Sequence, residues 1–324
     1  MYMKKKFDTK TLTTILGALL MIAAFIFLSR RIMLMWEDID LSVLVSQWAI
    51  MGLVIIALIE GTNIVLSALN FRSLITNVSG IAISKTLTLL IYCKSNLYKY
   101  IPGGVMFFIG RNQIVFKTKN LTHGQVALAT LFEGILWIIV AITIAALYAL
   151  NYPLYHIRKL DIMPQISVIA LILIPIILIM LYLFRKGLLE IYYNLKKKNK
   201  NFRFSIIFKR FASIFIILNI WAFSFLLTLI IMGAEMSISL AFTVMGLYTL
   251  SWLAGFLVPI SPGGIGIREA VLLVFLGTMI NEGVLLSTMV MHRLLQVMGD
   301  VLGYGAALTY NKFAKEPTTF EKNN

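Results

Sequence analysis

An all-α, polytopic integral membrane protein of about eight transmembrane helices, with additional re-entrant or broken helices, is the fold class this sequence predicts. Three observations predict it. Hydrophobic residues fill 60% of the 324 positions against 13% charged, and mean hydropathy is +0.89, outside the range of soluble domains. Long apolar runs recur along the chain with short basic clusters between them. Two proline-glycine breaks, Pro102-Gly103-Gly104 and Pro262-Gly263-Gly264, interrupt stretches that are otherwise apolar. The net charge of +15 sits in the basic clusters, so it reads as topology and attraction to anionic lipid surfaces, and nucleic acid is not expected as a partner. The lone cysteine, Cys93, excludes an intrachain disulfide and reads as packing. With no metal-ligand cluster in view, neither a metal nor a cofactor is expected.

Taken in order, Lys4, Lys5, Lys6 and Lys10 precede an apolar run at 12–28 that ends in Ser29-Arg30-Arg31 without a small-residue cleavage site. That pattern favours an uncleaved first helix over a signal peptide, with the amino terminus in the cytoplasm. A second span at about 41–69 carries Glu60, Asn63, Ser67 and Asn70 on one helical face, and Arg72 follows it. A carboxylate in a span is costly unless it faces the bundle interior. Residues 81–116 admit two readings: a full crossing, which puts Arg111, Lys117 and Lys119 outside, or a re-entrant hairpin with Pro102-Gly103-Gly104 near its tip. The hairpin agrees with the positive-inside bias and is the preferred reading.

The next span, about 125–150, contains Glu133 and Trp137, and 166–184 returns to the cytoplasm. A basic cytoplasmic connection at 185–210 follows, from Arg185 to Arg210. Spans at 211–232 and 239–258 bring the second break to the cytoplasmic side, and a run at 267–280 is shorter than a perpendicular crossing needs. The last helix, 284–308, carries His292, Gln296 and Asp300 at every fourth residue, with Arg293 beside them. The expected organisation is a single membrane domain, 1–324. Halves at about 1–150 and 165–310 form an inverted pseudo-repeat linked through the basic loop 185–210, and both termini are cytoplasmic.

The second break carries the chemistry. Pro262 ends the preceding helix, a new one can start at about Gly266, and its first-turn amides together with Arg268 suit an anionic group such as a phosphate. A bent connector with an interfacial arginine is the alternative. Pro102-Gly103-Gly104 with Arg111 echoes this element.

The stretch Pro262-Gly263-Gly264-Ile265-Gly266-Ile267-Arg268-Glu269-Ala270 resembles the later motif of the lysylphosphatidylglycerol synthase transmembrane-region family, the flippase-like domain of the multiple peptide resistance factor. Tyr100-Ile101-Pro102-Gly103-Gly104 to Gly110-Arg111 is similar to its earlier motif, more loosely, and Glu133 stands where the family carries an acid opening a hydrophobic helix. The resemblance implies a cell-membrane domain that moves a lipid or lipid-linked headgroup between leaflets. It lacks the aminoacyl-transferase domain of bifunctional relatives and is not expected to synthesise lysylphosphatidylglycerol itself.

The leading expectation is a translocase for an anionic phospholipid or a polyprenyl-phosphate-linked sugar, with no catalytic residues. Arg268 and its counterpart Arg111 bind phosphate. Glu269, Glu60, Glu133 and Asp300 keep the arginines oriented and can receive a cationic headgroup, and Arg293 belongs to the same polar set. Without a Walker loop, movement is passive or coupled to an ion gradient. The alternatives are a membrane-embedded transferase using a lipid donor, or a scaffold partner of a separate glycosyltransferase or lipid synthase.

Overall fold

The computed structural model describes residues 46–100, 106–149, 204–258 and 261–314. Among these the chain is all-helical, without strands: α1 (Gln47–Ser79), α2 (Lys85–Leu97), α3 (Met106–Arg111), α4 (His123–Ala149), α5 (Phe204–Ile231), α6 (Ile238–Leu257), α7 (Ile267–Leu276) and α8 (Glu282–Phe313). Short 3-10 turns at Tyr98–Tyr100, Asn112–Lys117 and Pro262–Gly264 join several of them. Four helices, α1, α4, α5 and α6, are long and apolar enough to cross a membrane. α8 has 32 residues, but His292, Arg293, Gln296 and Asp300 lower its apolarity.

Local chemistry sets the ends. α1 stops where Gly80 takes φ 72° and gives its N–H to the Thr76 carbonyl. Ser84, Ser237 and Asn281 accept first-turn amides of α2, α6 and α8 with their side-chain oxygens. Between helices the decisive contact is α1 on α8. A Cβ on Gly299 would lie 2.3 Å from the Glu60 Cβ, and one on Gly303 would lie 3.0 Å from the Gly61 carbonyl oxygen. Gly299 and Gly303 are spaced to let two backbones touch, a small-residue interface of the kind that joins helices in lipid. Outward faces carry Ile50, Val54, Leu58, Val290, Leu294 and Val301, all exposed apolar residues.

Several expectations need correction. The second span does not end at 69: α1 continues to Ser79, so Arg72 lies inside the helix, where its Nε donates to the Ile83 carbonyl at 2.6 Å. The basic connection does not reach 210. Lys209 and Arg210 belong to the first turns of α5, which starts at Phe204, because long basic side chains tolerate a helix end by extending their heads away from its apolar part. For 81–116, where a hairpin was preferred over a full crossing, no long helix forms among the described residues. α2 spans about 20 Å, less than a bilayer core, and the chain then doubles back. α3 returns against α2 so closely that a Cβ on Gly110 would lie 2.8 Å from Ser95 and Tyr98. α7 is ten residues long, shorter still than expected. The spans at 12–28 and 166–184, and Pro102, Gly103 and Gly104, lie outside the described residues.

Candidate functional site

The second break is built as its sequence requires. Gly263, Gly264 and Gly266 have φ of 59°, 73° and 85°, conformations in which a side chain is strained. At Gly264 space forbids one too, since a Cβ would sit 2.9 Å from the Gly255 Cα and 3.0 Å from the Arg268 Cδ. The stem of Arg268 therefore runs in a slot between two glycine backbones, one from α6 and one from the break. Gly266 caps α7, and the Glu269 carboxylate reaches back to accept the Gly266 amide at 2.6 Å. The carboxylate's other oxygen accepts from Arg293 Nε at 2.7 Å, and Arg293 Nη1 donates to the Gly263 carbonyl at 2.9 Å. An arginine of α8 thus holds both the loop and the start of α7.

The first broken element is held by the same helix. Asp300, buried on α8, accepts from Asn96 Nδ2 at 2.7 Å and from the Tyr100 hydroxyl at 2.5 Å, and pairs with Lys99 at 2.7 Å. Tyr100 in turn lies against Gly263. The end of α2 with its following turn and the second break converge on one face of α8, set by Arg293, Gln296 and Asp300 at spacings of three and four.

Between them lies a cavity of about 390 Å³. Of the residues expected at the site, Arg268, Arg293, Arg111, Glu60, Glu133, Asp300, Gly263 and Gly264 line it. Glu269 stands behind Arg293, Gly266 and Pro262 belong to the backbone of the break, and Asn63, Ser67 and Asn70 are buried in the bundle away from the lining. Three indoles from three helices, Trp137, Trp221 and Trp252, complete the wall and lie within 5.3 to 6.2 Å of one another. Phe108 and Leu257 also line the cavity and are 37% and 56% exposed, so its mouth opens between α3 and the end of α6 with an apolar rim.

The two arginines expected to act as counterparts differ in kind. Arg111 has an acid of its own: Nη1 pairs with Glu133, the Tyr92 hydroxyl donates to the same carboxylate at 2.8 Å, and the guanidinium lies 4.2 Å from the Tyr92 ring centre and 5.0 Å from that of Phe71, although its Nε is buried without a hydrogen-bond partner among the described residues. Arg268, buried with 8% exposure, has no acidic partner within ion-pair distance among the described residues. Its Nη1 makes one long bond to Gln296 Oε1 at 3.4 Å, and its Nη2 is buried without a partner, as is the Nη2 of Arg293. Glu60 does not orient an arginine; Ser224 donates to it. Asp300 does not either, because its bonds go to the first broken element. The two arginines that bring an unpartnered terminal guanidinium nitrogen to the cavity are therefore Arg268 and Arg293, while Arg111 is ion-paired in its wall.

Asn96, the slot glycine Gly255 and the indoles of Trp221 and Trp252 were not singled out from sequence, nor were Lys99 and Tyr100 recognised as partners of Asp300. Tryptophan in the middle of a span, away from the interfacial belts, was the available signal. No family model and no curated protein matches this chain.

Proposed function

We propose that this chain is a lipid translocase of the cell membrane that carries an anionic phospholipid or a polyprenyl-phosphate-linked sugar between leaflets. One observation carries the reading: two buried guanidinium nitrogens, Nη2 of Arg268 and Nη2 of Arg293, have no hydrogen-bond partner among the described residues, at a cavity between the turn after α2 and the second break. Leaving a buried cation's donors unmet is costly, and a phosphate supplies both the charge and the acceptors they lack. The apolar rim at Phe108 and Leu257 suits acyl or prenyl chains that stay in hydrocarbon while the headgroup enters the polar interior. A headgroup inside exchanges water for fixed donors, which is what lowers the barrier to crossing.

The resemblance of Pro262 to Ala270 to the lysylphosphatidylglycerol synthase transmembrane-region family supports the same reading. The test is movement of fluorescent phosphatidylglycerol and of a fluorescent polyprenyl-phosphate sugar in proteoliposomes, followed by quenching of outer-leaflet label. Protection lost faster than in protein-free vesicles, for one of the two lipids, identifies the substrate class. Equal rates with and without folded protein for both lipids refute translocation.

A further inference from the structure

We propose that Glu60, with Ser224 and His292, is a proton-binding site in the cavity wall, linked to anion occupancy at Arg268 so that a proton accompanies the headgroup. That the proton travels with the headgroup rests on the translocase reading; the proton site and its linkage to a bound anion do not.

Glu60 lies mid-helix in α1, is 3% exposed and lines the cavity. A carboxylate inside a span needs a reason to be there. It has no cation within hydrogen-bond distance among the described residues. Its contacts are the Ser224 hydroxyl and, at 3.9 Å, the His292 Nε2.

The hydrogen-bond pattern around it has two settings. Ser224 Oγ lies within bonding distance of both a Glu60 oxygen and the Trp221 carbonyl, the latter at 2.8 Å, yet a hydroxyl has one proton. With Glu60 ionised, Ser224 donates to it. With Glu60 protonated, the carboxyl O–H donates to Ser224 Oγ and Ser224 donates to Trp221. Both settings keep Glu60 partnered, so one proton can be added to or removed from the carboxylate without stranding it.

From this point a polar chain runs to the anion site. Arg268 Nη1 donates to Gln296 Oε1, and Gln296 Nε2 donates to the Tyr248 hydroxyl at 2.8 Å. Tyr248 O–H then donates to His292 Nε2 at 3.1 Å. Thr228 spends its proton on the Ser224 carbonyl, so His292 Nδ1–H donates to Thr228 Oγ1. These directions assign a neutral imidazole with its proton on Nδ1 and Nε2 turned toward Tyr248 and Glu60. The Phe225 and Tyr248 rings, edge-on to His292 at 5.3 and 5.4 Å, fix its plane.

The groups that act on Glu60 come from every element around it: Asp300 and His292 on α8, Lys99 beyond α2, Arg268 on α7, Tyr248 on α6 and Ser224 on α5. Asp300 opposes a second negative charge, while Lys99 and Arg268 favour it. An anion on Arg268 cancels one of those two cations. Proton and anion then bind with mutual preference, and by reciprocity each strengthens the other.

The test is infrared difference spectroscopy of the full chain in nanodiscs, titrated between acid and neutral pH. In phosphatidylcholine the wild type shows a protonated-carboxyl C=O band that is absent in Glu60→Gln and displaced in Ser224→Ala, which keeps the carboxyl but removes its partner. Replacing part of the lipid with phosphatidylglycerol raises the band's midpoint pH, by about fivefold or more in proton affinity, and Arg268→Ala abolishes that response. A titrating band unchanged in both Glu60→Gln and Ser224→Ala overturns the proton site. A Glu60 band indifferent to phosphatidylglycerol, in protein that moves the lipid, overturns the linkage and spares the translocase reading. A Glu60 band that answers to phosphatidylglycerol in protein that moves no lipid overturns the translocase reading and leaves the linked site standing.

Discussion

Arg111 and Arg268 are the same side chain in opposite circumstances, and the difference separates stability from function. Breaking the buried Arg111–Glu133 pair by Arg111→Ala or Glu133→Ala strands a charge and is expected to cost about 3–5 kcal/mol, whereas the double change Arg111→Met with Glu133→Leu costs less than either single one. Thermal melting in detergent checks this, and single variants as stable as wild type would contradict it. Among the described residues Arg268 has no acid to strand. Arg268→Met keeps the stem in its glycine slot and is expected to leave the melting temperature unchanged or raised while removing lipid movement. At Gly264 both φ and space exclude a side chain, so Gly264→Ala is expected to destabilise by about 1–3 kcal/mol in the same melts. The need for glycine in the break was legible in the sequence, because proline and three glycines inside an apolar run have few other uses. Which arginine is unpartnered was not. Pairing depends on where Glu133, Glu269 and Asp300 arrive from other helices, and no local spacing encodes that.

At the scale of elements, α8 is the ruler to which both broken segments are tied, at different rungs. Asp300 holds the end of α2 through Asn96, Lys99 and Tyr100, and Arg293 holds the second break through Gly263 and Glu269. Asp300→Ala is therefore expected to raise amide exchange at 96–100 more than at 263–269, and Arg293→Ala to do the reverse. Hydrogen exchange read by mass spectrometry checks the contrast, and equal effects at both segments would show that they move as one unit. The polar stripe on this helix was legible from its spacing of four. The glycines that bring α8 against α1 were legible in principle too, since Gly299 and Gly303 share the small-residue spacing, but glycine is common in apolar helices and the partner, Gly61, is remote in sequence. The length of α1 was misjudged because Arg72 resembled a flanking charge. Its side chain is accommodated inside the helix by the Ile83 carbonyl.

For the whole molecule, hydropathy alone pointed to helices of membrane-crossing length, and the described residues are all-helical with four helices long and apolar enough to cross, against the eight spans expected of the full chain. The doubling-back of α2 and α3 was the preferred reading of an ambiguous stretch, chosen on charge placement rather than on packing. Convergence of the turn after α2 and the second break on one cavity rests on tertiary contacts between residues some 160 positions apart, Tyr100 and Gly263 among them. The central claim is that an anionic headgroup enters that cavity and is held by Arg268 and Arg293. Photo-crosslinking in nanodiscs with phosphatidylglycerol bearing a diazirine on its headgroup tests it most directly. The account predicts label within 255–268 and 293–300, competed by unlabelled phosphatidylglycerol and lost in Arg268→Met. Label confined to outward residues such as Val54 and Val290, and unchanged in Arg268→Met, would contradict it.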